Sequence, residues 1–129
     1  MDNKIKALLL IIIIIFIIGL DLFLYFKTNK LVNLMIDDLV KLEKVVEDKN
    51  IDDSKTKFKK LKEEWGKAEN VLSFFIEHEE IEKVSTRIAS IEEKVENEEY
   101  EDVLEKIAEA KFLLKHVEDK YNLDLKNFF

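Results

Sequence analysis

The chain has 129 residues, no cysteine, no proline and two glycines, enough for one small domain. With 28 Asp and Glu against 21 Lys and Arg it carries a net charge of −7, which disfavours nucleic acid as a partner because phosphate binding wants a basic face. Lack of cysteine excludes disulfides, thiol nucleophiles and thiolate metal sites, and the isolated Gly19 and Gly66 exclude Gly-rich phosphate loops.

Charge and hydropathy are split along the chain. Residues 1–30 carry Lys4, Lys6, Lys27 and Lys30 against Asp2 and Asp21, a net of +2, so the remainder carries −9. Within residues 7–26 only Asp21 is charged. Twenty residues in a helix cover about 30 Å, the thickness of a hydrocarbon core. The isoleucine run at 11–15 has strand propensity in water, but in lipid a lone strand leaves its backbone unpaired, so a helix is required. The rival reading is a cleaved signal peptide. Lys4 and Lys6 suit it, but no small-x-small cleavage site follows the apolar core, where Leu20, Asp21, Leu22 and Phe23 stand. We therefore expect an uncleaved anchor over residues 1–27. Lysines flank both ends, so the basic-loop rule discriminates little. The short head before the span favours an extracytoplasmic C-terminal domain.

Beyond the anchor, apolar residues recur at helical spacing. A first helix over 28–48 carries Leu31, Met35, Leu39, Leu42 and Val46 and continues the membrane helix. Asp52, Asp53 and Ser54 supply cap-type residues and negative charge for a second helix start. The second stripe is Phe58, Leu61, Trp65, Ala68, Leu72 and Phe75, widened by Val71, Phe74 and Ile76. The third is Ile81, Val84, Ile88, Ile91 and Val95. The fourth is Tyr100, Val103, Ile107, Ala110, Leu114, Val117 and Tyr121, widened by Leu104, Ala108 and Leu113. Extending the second or third stripe would bury Glu79 and Glu82, or Glu98 and Asp102, as unpaired charges. The chain should therefore turn near 77–80, as a reversal or a kink, and near 96–98, where Asn97 is a cap. Leu39, Leu42, Val46 and Glu47 match Ile88, Ile91, Val95 and Glu96 at an offset of 49, the pattern of two similar hairpins or of any two heptad helices.

The expected fold is all-α: an N-terminal transmembrane helix followed by an up-down bundle of three to four helices over 28–120, with an apolar tail at 121–129. The alternative is a long antiparallel coiled coil that needs a partner chain.

No Ser, His and Asp set suggests a catalytic triad, and no catalytic residue or cofactor is assigned. The one tryptophan, Trp65, reads as core with its indole N–H on a nearby acceptor. Up-down topology brings His78 and His116 to the membrane end, where with Glu79 or Glu118 they are weak candidates for a divalent cation. The plainer reading is two polar residues at helix ends. Asp21 is ionisable inside an apolar span, hence a candidate for pairing with another membrane protein, or a side chain reaching water at the interface. Phe128 and Phe129 close the apolar tail and should be covered by the bundle, the bilayer or a partner.

Several features together resemble a family of short single-span proteins of unknown function from spore-forming, clostridia-like bacteria. They are the basic-start anchor, Trp65, the Phe74-Phe75 pair followed by His78, and the ending 123–129 with Asn127-Phe128. The resemblance implies a membrane-tethered helical domain associated with a small multi-span membrane protein, and supplies no catalytic residues. Twenty lysines to one arginine, Arg87, suit an AT-rich genome. The expected function is a non-catalytic membrane-anchored accessory protein that presents its bundle to a multi-span membrane partner; a homo-oligomer stays open. The alternative is a membrane-tethered ligand or cation sensor, which should continue into a cytoplasmic signalling segment, where the chain offers residues 1–6.

Overall fold

The structure is a computed structural model that describes residues 2–74 and 76–128, with side chains through 122. Four helices follow in order: α1 (Asn3–Glu47), α2 (Ile51–Leu72), α3 (His78–Glu96) and α4 (Tyr100–Phe128). The described residues are all-α.

Helix α1 has 45 residues, about 67 Å at 1.5 Å per residue. It has two unlike halves on one unbroken axis. The first half is apolar and mostly exposed, and no residue of its most hydrophobic stretch is buried. It is long and apolar enough to cross a membrane. The second half is amphipathic and buries Val32, Met35, Leu39, Leu42 and Val46. As expected from the stripe, nothing breaks the helix between them.

The second half of α1 forms an up-down bundle with α2, α3 and α4. Each helix packs on its sequence neighbour, α4 closes back on α1, and the diagonal pairs stay apart among the described residues. The expected stripes supply the core: Leu61, Trp65 and Leu72 from α2, Ile88 and Ile91 from α3, Ile107 and Leu114 from α4. Burying one such leucine or isoleucine stabilises by about 1.5–3 kcal/mol. An interhelix ion pair crosses each seam. These are Asp38–Lys60 at 3.9 Å, Lys62–Glu92 at 3.0 Å, Arg87–Glu109 at 2.7 Å and Glu43–Lys111 at 2.7 Å.

The turns explain where the helices stop. At the far end, α1 closes with the Lys49 N–H on the Val46 carbonyl and the Asn50 N–H on the Val45 carbonyl. That double closure satisfies two orphan carbonyls and requires a left-handed residue, here Lys49 at φ 56°. Asn50 is then the N-cap of α2: its Oδ1 accepts from the Asp53 N–H at 3.1 Å and its Nδ2 donates to Asp53 Oδ2 at 2.9 Å. This corrects the expectation that residues 52–54 cap the helix. Asp52 and Asp53 lie in its first turn, and Ser54 is buried with its hydroxyl on the Asn50 carbonyl.

The turn after α2 is a full reversal, since Trp65 and Lys62 face Ser85 and Glu92 of α3 in antiparallel order. It comes earlier than the stripe implied. α2 ends at Leu72 with Ser73 as C-cap, so Phe74 leaves the helical register and is 89 % exposed rather than widening the core. Ala108 is exposed as well, whereas Val71, Ile76, Leu104 and Leu113 are partly buried as the wider stripes required. Phe75 lies outside the described residues.

Candidate interaction surface at the apolar end of the bundle

Polar groups inside an apolar, ordered bundle are costly unless partnered, so they mark where the fold serves something besides packing. Most of them gather where α1 passes from its exposed apolar half into the bundle. Asp21, Leu24, Tyr25 and Thr28 recur at helical spacing; the first three are half-buried and Thr28 is fully buried. The bundle therefore reaches down to the last turns of the apolar segment. The Thr28 hydroxyl donates back to the Leu24 carbonyl at 2.7 Å, which leaves it little to offer elsewhere. Beside it, Asn29 Oδ1 and, on α4, Asn122 Oδ1 and Glu118 Oε2 are buried oxygens with no hydrogen-bond partner among the described residues. Glu118 uses its other oxygen on Lys115 Nζ at 2.8 Å, and the carboxylate holds the Lys115 pKa above the ordinary lysine value. Each unsatisfied buried acceptor costs about 1–3 kcal/mol.

Glu118 and Asn122 stand a turn apart on α4, and Lys111, on the same flank, meets Glu43 of α1. At the end where the apolar helix leaves, this seam therefore carries buried acceptors without donors among the described residues.

The other residues singled out from the sequence are placed as follows. His78 opens α3, exposed, with Nε2 3.8 Å from Glu82 Oε2. Glu79 faces Lys83 at 3.7 Å instead. His116 is exposed on α4, one turn before Lys120, which bonds Glu77 at 3.2 Å. The two histidines thus share one end of the bundle. The described residues contain no group of three His, Cys, Asp or Glu side chains able to hold a metal ion. Asp21 is half-buried on the flank of α1 that meets the bundle. The backbone of α4 continues to Phe128, while the Phe128 side chain and Phe129 lie outside the described residues.

Two features were not legible as sites. Asp38 is only 3 % exposed, and its Oδ2 has no hydrogen-bond partner among the described residues. Burial raises its pKa, against the pull of Lys60. The signal in the sequence is heptad spacing on the flank: Leu31, Asp38 and Val45 occupy one row facing α2.

The second is the α2–α3 seam, the loosest of the four. Two shallow clefts of about 450 and 300 Å³ run along it, separated by the Lys62–Glu92 pair. Gly66 and Ala89 line the smaller one. Its floor holds a hydrogen-bond relay: Trp65 Nε1 donates to Ser85 Oγ at 2.9 Å, and Ser85 Oγ donates to Glu69 Oε1 at 3.3 Å.

Fold and surface together define a class: an up-down four-helix bundle carried without interruption on a helix long and apolar enough to cross a membrane. Within that class the chain belongs to the family of the DUF4363 domain of unknown function, which matches residues 22–128. The match starts directly after Asp21, so it takes in the last apolar turns of α1 together with the bundle. No curated protein and no solved structure matches the chain.

Proposed function

We propose that this protein is a non-catalytic, membrane-anchored accessory protein that presents its bundle to a multi-span membrane partner. The observation that carries the reading is the continuity of α1. One helix is exposed and apolar over its first half and buried in the bundle over its second, so a membrane holding the first half would hold the bundle at a fixed height above it. The cluster of Asn29, Glu118 and Asn122 marks the contact region at the end facing that membrane: their unpartnered oxygens are buried, so a partner reaches them by displacing what covers them. On this reading Asp21, and the apolar residues Phe128 and Phe129, belong to the same contact, and the bundle lies outside the cytoplasm. The lysine-rich composition fits an origin in a clostridia-like bacterium.

The test is co-purification after gentle detergent extraction, with Asp21→Leu and Asn122→Leu beside the parent chain. Capture of a multi-span protein by the parent, weakened by either change, is expected. Equal capture by all three chains would move the surface elsewhere. Because the chain lacks cysteine, single substitutions such as Glu101→Cys report sidedness directly through a membrane-impermeant maleimide.

The second reading is a tethered ligand sensor, and the α2–α3 clefts favour it. Their walls of Phe58, Trp65, Ile88 and Val95 with charged rims suit a small amphipathic molecule. Quenching or a shift of Trp65 emission by such a molecule would support it over the accessory role.

A further inference from the structure

Phe74 is the most exposed large hydrophobic side chain among the described residues, at 89 %. The reversal that carries it lies at the same end of the bundle as the apolar half of α1. Register fixes this: α1 and α2 run antiparallel with Asp38 facing Lys60, and the count that leads from Lys60 to Phe74 leads from Asp38 back to Leu24. Around that level α1 shows Phe23 and Phe26 exposed, Tyr25 edge-on to Phe26 at 5.3 Å between ring centroids, then Lys27 and Lys30. Aromatic and basic residues in that order are what a helix presents where hydrocarbon gives way to headgroups.

We infer that Phe74, at the turn after α2, makes a second membrane contact, seated at the headgroup boundary of the bilayer that holds α1. The inference rests on the anchored reading above. A lone tether lets a bundle swing, whereas a tether plus a side contact on a different helix fixes its tilt. The occupant is lipid and the attraction apolar. Glu77 and Glu79 lie a few residues after Phe74 and are paired with Lys120 and Lys83, so this end of α3 adds no net positive charge to draw it toward anionic headgroups. Helix α2 stops at Leu72 although no glycine or proline forces it, and that stop is what turns Phe74 outward.

The test uses the full chain in phosphatidylcholine vesicles whose acyl chains carry bromine, a short-range quencher of tryptophan. Three single variants are compared with the parent, whose own Trp65 is buried in the bundle: Phe74→Trp, Phe23→Trp within the apolar half, and Glu101→Trp at the far end. Added emission from Phe74→Trp should be quenched several-fold more strongly than that from Glu101→Trp, and should respond little to salt. If Phe23→Trp is quenched while Phe74→Trp behaves like Glu101→Trp, Phe74 faces water and this inference falls while the anchor stands. If Phe23→Trp is not quenched, the anchored reading fails and takes the Phe74 contact with it. Circular dichroism of Phe74→Trp should match the parent, since the side chain touches no core.

Discussion

Lys49 and Glu98 stand 49 positions apart and do the same thing: each takes the left-handed conformation, at φ 56° and 57°, as the residue that closes a helix. The Glu98 N–H bonds the Val95 carbonyl and the Glu99 N–H bonds the Lys94 carbonyl, repeating the pattern of Lys49 and Asn50 bond for bond. Helices α2 and α4 then begin at Ile51 and Tyr100, again 49 apart. The offset found in Leu39, Leu42 and Val46 against Ile88, Ile91 and Val95 is thus continued in backbone geometry. The second copy adds a staple: Lys94 Nζ reaches Glu99 at 3.0 Å, and this bond raises the Lys94 pKa.

A side chain at positive φ is strained, and glycine is not. Lys49→Gly and Glu98→Gly should each stabilise the bundle, by about 0.5–1 kcal/mol after allowing for the greater freedom of glycine in the unfolded chain. Thermal melts of the full chain in detergent micelles measure this, and the two effects should add, because the turns share no residue. A loss of stability in either variant would mean that the lysine or glutamate side chain makes up for the strain.

Gly66 poses the opposite case. It lies inside α2 with ordinary helical geometry, and a Cβ added there meets nothing within 4 Å. Mid-helix glycine costs about 1 kcal/mol relative to alanine. Gly66→Ala should therefore raise stability by about that amount. Because Gly66 lines the smaller α2–α3 cleft, the same substitution would weaken any ligand held there without harming the fold.

The core was legible because it obeys one rule. Residues spaced three and four apart line one side of a helix, and Leu39, Leu61, Ile91 and Ile107, all assigned to stripes, are fully buried. Helix ends were harder. Periodicity marks where apolar residues would point if the helix continued, so Phe74 read as core until α2 was seen to stop at Leu72. The left-handed turns were hidden because Lys49 and Glu98 are not glycine. The polar features were harder still, since Asp38, Asn29 and Asn122 matter through what covers them, and a stripe does not show the flank of a neighbouring helix. The histidines illustrate the limit in the other direction: topology brings His78 and His116 to one end, but helix phase leaves both facing solvent.

Trp65 tests the α2–α3 seam. It is 4 % exposed and anchors the relay to Ser85 and Glu69. Trp65→Ala should cost about 3–5 kcal/mol, the usual range for emptying a large aromatic site. Ser85→Ala leaves the indole N–H without its acceptor and should cost about 1–3 kcal/mol. In the double variant the second change should cost much less than alone, because its partner is already gone. Full additivity by urea titration would show that the hydrogen bond contributes nothing.

Asp38 gives the pH dependence. Its carboxyl is buried against α2, with Lys60 3.9 Å away and Glu64 near enough to oppose ionisation. Burial is the largest influence and raises the pKa above the ordinary value of 3.8. A carboxyl whose pKa is higher folded than unfolded binds its proton more tightly in the folded state. Its contribution to stability is thus fully present below the unfolded value, and is lost as pH rises through the folded value. Asp38→Asn keeps the shape and removes the titration. At neutral pH the variant should therefore melt above the parent. The gap should narrow as pH falls through the raised pKa and close below about 3.8, where both side chains are neutral. Comparing the two chains at each pH cancels the titration of the other carboxylates, including the surface ion pairs, worth about 0–1 kcal/mol each. If Asp38→Asn instead melts below the parent at neutral pH, the attraction of Lys60 outweighs the burial of the charge, and Asp38 is a structural ion pair rather than a strained one.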